Sequence, residues 1–387
     1  MKRKLALISL LSLFWGVFAI PFAFTSSAAE YTQDIECKSA VLMDAATGKI
    51  LYEKNADEAL APASVTKIMT LLLIMEALDA GKIGLSDPVT ASERAAEMGG
   101  SQIFMKVGES LSVEDLIKSI VIASANDATV AMAEHIAGSE SEFVAMMNTR
   151  AAELGMKNTS FENTNGLDDT AEHHLTSASD IALMSKELLS HEKILDYTSI
   201  WMDSIRNGEF VLTNTNRLIR FYPGATGLKT GSTAKAGFCI SATAMRNGMH
   251  LIAVVMGAPS RDTRNEIAKS LLDFGFANYA LYRYDGGEVA TVPVTGGTVS
   301  QIGVSSAPFA AIVPKGTQDK IEVKLSLPER ISAPIPEGAV LGSIEFIQGE
   351  NVIGSGNLTA KTAAEEISFF EYFWRLFRCF VTFKNDF

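Results

Sequence analysis

Histidine and cysteine are scarce in this chain of 387 residues, five and three respectively, and positive charge is outweighed, with 33 Lys and Arg against 45 Asp and Glu. Each shortage removes a class of function. Cys37, Cys239 and Cys379 are an odd set with no metal-ligand spacing, which excludes a disulfide-built scaffold and a zinc site. The histidines include one adjacent pair, His173-His174, which reads as a solvated loop feature rather than a ligand set. A formal net charge of -12 leaves no excess of cations to neutralise phosphates, so nucleic acid is excluded as a partner. No internal repeat or low-complexity tract occurs, which excludes a solenoid.

What is present is apolar material. Hydrophobic residues make up 47% of the chain, enough for sizeable cores, and the length suggests two domains. The first 29 residues stand apart: basic Lys2, Arg3 and Lys4, an apolar run from Leu5 to Phe24, then small Ser27-Ala28-Ala29. That is the layout of an export signal, and the small residues point to cleavage; an uncleaved anchor is the alternative.

From Ser39 the sequence reads as a hairpin, with Ala40–Met43 and Lys49–Tyr52 flanking Ala46-Thr47-Gly48. Val65 to Leu78 is apolar nearly all round, as a buried helix is, and Pro62 stands where proline suits a helix start. Residues 111–190 carry helical spacing. Two strand-like runs, Phe238–Ala244 and His250–Met256, flank Arg246-Asn247-Gly248, whose Asn-Gly is a strong hairpin signal. Ile267 to Phe276 reads as a short amphipathic helix. Residues 277–364 then change to short Val/Ile pieces broken by Gly and Pro, the texture of an all-β domain.

The last segment, 365–387, is aromatic and amphipathic. Phe370, Phe373, Trp374, Phe377, Phe380 and Val381 recur at three- and four-residue spacing, with Glu371, Arg375 and Arg378 on another face. Such a helix has too many charges to span a bilayer and suits a membrane surface. Packing on the β domain is the other reading.

Three short motifs carry chemistry. Ser64-Val65-Thr66-Lys67 puts a hydroxyl and an amine one helical turn apart. A serine is a poor nucleophile without a base, and a lysine desolvated in an apolar helix becomes one. Free N–H groups at the helix start suit a developing oxyanion. Ser124-Ala125-Asn126 offers a hydroxyl to relay a proton and an amide to hold a carbonyl; a helix-terminal cap is the structural alternative for Ser124. Lys229-Thr230-Gly231 offers a cation and a hydroxyl to an anionic substrate end, with Gly231 allowing close approach of a ligand to the backbone; a solvent-facing turn is the alternative. Each spacing alone is weak. S-x-x-K recurs at Ser190 and Ser232, and S-x-N at Ser355.

The order S-x-x-K, S-x-N, K-T-G resembles that of penicillin-binding proteins and serine β-lactamases. The flanks, Pro62 to Thr70, Ser124 to Ala128, Asn163-Thr164-Asn165-Gly166-Leu167 and Gly227 to Thr233, look like low-molecular-mass D-Ala-D-Ala carboxypeptidases. The resemblance implies an α/β (α+β) fold, an antiparallel sheet flanked by helices with Ser64 on the central helix, followed by the all-β domain and the tail. It divides the chain into a signal peptide at 1–29, a catalytic domain at 30–276, a β domain at 277–364 and an amphipathic helix at 365–387. It implies Ser64 as nucleophile, Lys67 as its proton acceptor and Ser124 as proton-transfer assistant. Asn126 would hold the substrate backbone. Lys229, Thr230 and Arg264, with Gly231 beside them, would meet the terminal carboxylate, and the N–H groups of Ser64 and Ser232 would form the oxyanion hole. The substrate would be a peptidoglycan stem peptide ending in D-Ala-D-Ala, β-lactams would acylate the same serine, and no metal or organic cofactor is implied. The enzyme would be exported and held on the outer face of the cytoplasmic membrane by residues 365–387. A class A β-lactamase is disfavoured, because no Glu-x-x-Leu-Asn run lies between Ser124 and Lys229; Glu162-Asn163-Thr164-Asn165 lacks the leucine. A peptidoglycan endopeptidase and an inactive cell-wall scaffold are the remaining alternatives.

Overall fold

The computed structural model describes residues 30–167 and 171–382; the expected signal peptide lies outside the described residues. A five-stranded antiparallel sheet organises the first unit. Its strands run in the order Ile50–Lys54, Ser39–Asp44, Met249–Ala258, Gly237–Arg246, Ala225–Thr233. Both expected hairpins form. In the second, Asn247 and Gly248 have φ of 51° and 76°, the paired left-handed conformation that a two-residue turn needs to follow strand twist.

The adjacent interior strands Ser39–Asp44 and Met249–Ala258 are buried on both faces, and their alternation assigns their apolar residues to two cores. Val41, Met43, Ile252, Val254 and Met256 face a core built with the helices Lys67–Asp79 and Ala178–Ser190. Ala40, Leu42, Leu251, Ala253 and Val255 face the other core, under the helix Arg261–Asn278. Strands covered on both sides read as continuous apolar runs because neither parity meets water. The helix Lys67–Asp79 is enclosed, with residues 68–75 all buried, as its all-round apolar sequence requires.

The helix expected at Ile267 begins instead at Arg261. Ser260 caps it, its Oγ accepting the Thr263 N–H at 3.0 Å. Polar Arg261, Asp262 and Asn265 conceal this first turn from any reading of apolar spacing, and Arg264 therefore lies within the helix rather than before it.

Beyond Asn278 the chain is β-rich. Tyr279–Tyr284 pairs with Phe309–Pro314, and a six-stranded sheet has its own core of Val292, Val304, Ile344, Phe346 and Leu358. Phe309 stacks on Phe346 with centroids 4.1 Å apart. The helix Phe369–Thr382 follows, with Phe370, Phe373, Trp374, Phe377 and Phe380 exposed. Its Arg375 donates to the carbonyls of Gly297 and Thr298. Among the described residues no helix is long and apolar enough to cross a membrane.

Candidate active site

Ser64 lies in a 3-10 turn, Ala63–Thr66, that leads into the helix beginning at Lys67. This corrects the expectation of Ser64 on the helix itself. The correction matters chemically, because positions i and i+3 eclipse in a 3-10 turn. Lys67 Nζ stands 3.1 Å from Ser64 Oγ, 2.6 Å from Asn126 Oδ1 and 2.8 Å from the Asn165 carbonyl oxygen. The lysine is fully buried. Burial first, and the charge of Lys229 second, hold its pKa well below the usual lysine range, against a weaker opposing pull from Asp127. A neutral amine has two N–H groups and one lone pair. The two carbonyl oxygens take the N–H groups, which leaves the lone pair facing the Ser64 hydroxyl.

Ser124 follows a π-type turn, Ser119–Ala123, and has φ +63°. Left-handed backbone at a residue with a Cβ is a strained state that concentrates at functional sites. Its Oγ is buried with no hydrogen-bond partner. Its backbone is the C-cap of the turn Ser119–Ala123, its N–H bonding the Ser119 carbonyl, so the cap reading holds for the main chain; its side chain caps nothing, and the residue before the helix Asn126–Ala137 is Ala125. Asn126 is engaged at both ends of its amide, since Nδ2 donates to the Gly99 carbonyl at 2.7 Å. Each end keeps one further site, a second lone pair on Oδ1 and a second N–H on Nδ2.

The K-T-G segment is part of the sheet's edge strand rather than a solvent-facing turn. Lys229 is 1% exposed, and its Nζ donates to the Thr230 carbonyl at 2.9 Å. Burial, helped by the Arg264 charge, brings its pKa down to about 7. Thr230 Oγ1 donates to Thr215 Oγ1 at 2.8 Å. The missing side chain of Gly231 admits the nucleophile turn, because a Cβ there would come within 2.8 Å of the Ser64 nitrogen and 2.9 Å of the Pro62 carbonyl oxygen. Close contact between the edge strand and this turn is what brings Thr230, Gly231 and Ser232 beside Ser64.

A cleft of about 670 Å³ collects these groups. Ser64, Ser124, Thr230, Gly231, Ser232 and Arg264 all line it; of the lining residues, Ser64 is contacted by Lys67, Thr230 by Lys229 and Ser101 by the Asn126 N–H. Arg264 is 3% exposed and braced by Asn265 Oδ1 at 2.9 Å and the Cys239 carbonyl at 3.3 Å. Burial, with Arg261 beside it, lowers its pKa to about 10, so it keeps its charge at neutral pH. Two of the stray copies lie outside the cleft lining, Ser190 at the end of the helix Ala178–Ser190 and Ser355 in the strand Asn351–Ala360, whereas the third begins at Ser232, which lines the cleft. Among the described residues no group of three or more His, Cys, Asp or Glu could hold a metal ion.

The model of the D-alanyl-D-alanine carboxypeptidase family matches residues 24–260. The chain belongs to this family. The model of the penicillin-binding protein 5 C-terminal domain matches residues 281–366. The chain is 45% identical to the D-alanyl-D-alanine carboxypeptidase DacF of Bacillus subtilis (strain 168), over 99% of this chain and all of that one. Penicillin-binding protein 5 of Haemophilus influenzae superposes with a TM-score of 0.78 at 32% identity, covering 87% of this chain and all of that one. Penicillin-binding protein D2 of Listeria monocytogenes, solved with cefotaxime bound, gives 0.59 at 30% identity over 64% of this chain and all of that one. The carboxypeptidase fold is thus the α/β catalytic unit followed by the β domain.

Within this carboxypeptidase, sequence reading missed several residues. His174 was read as solvated; it is 3% exposed, with Nε2 2.8 Å from Thr66 Oγ1. The loop's closure over the nucleophile turn, which no local pattern encodes, buries it. Asp127 accepts the N–H groups of Ile103 and Met105 and so pins the loop whose Ser101 borders the cleft. Thr215 and Arg217 also line the cleft, Thr215 beside Thr230. Cys37 and Cys239 are free; Cys37 precedes the strand Ser39–Asp44, Cys239 lies in Gly237–Arg246, and Met249–Ala258 runs between those two strands. Burial raises both thiols to about 11. The side chain of Cys379 lies outside the described residues.

Proposed function

We propose that this chain removes the terminal D-alanine from peptidoglycan stem peptides through an acyl-enzyme on Ser64. The observation that carries the proposal is a fully buried lysine whose Nζ stands 3.1 Å from Ser64 Oγ and also contacts two carbonyl oxygens, which in the neutral amine take its two N–H groups. Such an amine is a base aimed at one hydroxyl.

Ser64 Oγ attacks the carbonyl between the last two D-alanines while its proton passes to Lys67 Nζ. The oxyanion sits between the backbone N–H groups of Ser64 and Ser232. Ser124 Oγ, buried and unpaired, carries the proton to the leaving amine, and the C–N bond breaks. Water then attacks the ester and releases the shortened peptide and Ser64. Lys229, Thr230 and Arg264 receive the terminal carboxylate, and Asn126 holds Lys67 and the substrate backbone. β-Lactams present a strained amide and a carboxylate to the same groups.

The test is intact mass of the mature protein over time after adding penicillin, with peptide mapping of the adduct. One adduct per chain, on Ser64 and lasting many minutes, is expected. An adduct that vanishes as drug is consumed would instead indicate a β-lactamase, and no adduct would overturn the assignment.

We further propose export through residues 1–29, a catalytic domain at 30–276, a β domain at 277–364, and peripheral attachment to the outer face of the cytoplasmic membrane through 365–387. Exposed Phe370, Phe373, Trp374, Phe377 and Phe380 support the attachment, since so much exposed aromatic area suits a lipid surface. Deleting residues 365–387 should abolish sedimentation with anionic vesicles and leave penicillin acylation unchanged. Undiminished vesicle binding would refute the anchor.

A further inference from the structure

The turn that carries Ser64 has an uncommon backbone. Ala63, the residue before the nucleophile, has φ +49°, in the left-handed region that a residue with a Cβ rarely enters. Such a conformation persists only where its surroundings impose it. Two side chains with no part in the reaction do so. Thr66 Oγ1 donates to the Ala63 carbonyl at 2.8 Å and lies 2.8 Å from His174 Nε2. Nδ1 of the same ring accepts the backbone N–H of Glu162 at 3.0 Å.

These contacts determine every proton. Nδ1 receives an N–H and so carries none, which puts the ring proton on Nε2, facing Thr66 Oγ1. The threonine proton is then committed to the Ala63 carbonyl. The result is a directed chain, Glu162 N–H to His174 to Thr66 to Ala63, within a buried region where Thr66 is 0%, Ala63 1% and His174 3% exposed. The edge of the Phe161 ring packs on the imidazole, centroids 5.6 Å apart. Gly166 closes the other side of the same turn: a Cβ there would lie 1.9 Å from the Ala63 carbonyl oxygen and 2.7 Å from Thr66 Oγ1. Gly166 is adjacent to Asn165, whose carbonyl accepts from Lys67. One buried chain therefore ties the backbone of the nucleophile to the loop that orients its base.

We infer that His174, acting through Thr66, is a positioning residue for acylation: the relay holds the Ala63 carbonyl and thereby fixes where Ser64 Oγ stands relative to Lys67 Nζ. The inference rests on Ser64 being the nucleophile. His174 touches no reacting atom, so its effect should fall on the chemical step rather than on initial binding.

The test measures penicillin adduct formation against drug concentration in the mature full chain, which separates the binding constant from the acylation rate constant. Thr66→Val and His174→Ala should each lower the rate constant by tenfold to a hundredfold, roughly what displacing reacting groups by a fraction of an ångström costs. The binding constant should stay within about twofold. Thr66→Ser, which keeps the hydroxyl, should recover most of what Thr66→Val loses. The double variant should be no slower than the slower single one, because both cut the same chain. A wild-type rate constant in Thr66→Val, no recovery in Thr66→Ser, or losses that multiply in the double variant would each overturn the relay. If His174→Ala does not fold, the comparison of Thr66→Val with Thr66→Ser decides alone. Failure of the wild type to take up penicillin on Ser64 would overturn the nucleophile assignment instead, and the two failures are distinct.

Discussion

Lys67→Ala should slow penicillin acylation by about a thousandfold or more, the scale of a lost general base, and Ser64→Ala should give no adduct at all. The argument rests on how the lysine is held. An ammonium would use its three N–H bonds on Asn126 Oδ1, the Asn165 carbonyl and Ser64 Oγ, and would have no lone pair to receive a proton. Full burial and the nearby charge of Lys229 favour the neutral amine, in which the third contact reverses and the serine donates. Lys67→Arg should not restore activity, because a guanidinium stays protonated and cannot act as a base. Adduct growth in each variant can be read by intact mass, with circular dichroism to check the fold. Acylation by Lys67→Ala within about tenfold of wild type would mean that another group takes the serine proton.

Much of this arrangement was legible because it is written in local patterns. Apolar residues on every side of the helix after Ser64 require burial, and a lysine inside that pattern has to be buried with it. Asn247-Gly248 encoded a two-residue turn directly. Where the sequence misled, a long-range contact decided. His174 follows Glu172 and His173 and sits in no apolar periodic run, and the return of its loop over Thr66 buries it. The need for glycine at 231 also comes from a turn more than 160 residues earlier, which occupies the space a Cβ would take. The helix from Arg261 was hidden because its first turn packs Arg264 through polar contacts with Asn265 and a strand carbonyl. The topology of the sheet, with the first hairpin beside the last strands, follows from pairings between distant segments that single-sequence periodicity does not contain.

The second large effect concerns Lys229. Lys229→Ala should lower kcat/KM for a peptide ending in D-Ala-D-Ala by about a hundredfold to a thousandfold, as removing one partner of a desolvated charge pair does. It should also move the pH profile in a stated direction. Catalysis needs Lys67 neutral and Lys229 charged, so kcat/KM should rise with pH through the depressed pKa of Lys67 and fall as Lys229 loses its proton near 7. A bound carboxylate favours the charged lysine, so the falling limb should lie at higher pH in kcat than in kcat/KM. Lys229 is also the charge that helps to depress Lys67. Its removal should therefore shift the rising limb to higher pH while abolishing the falling limb near 7. The two lysines interact, so each limb belongs to the pair as titrated, and the wild-type and variant profiles have to be compared as whole curves. A Lys229→Ala profile with both limbs unmoved would detach Lys229 from the titration and leave Arg264, which keeps its charge through this range, as the cation that meets the carboxylate.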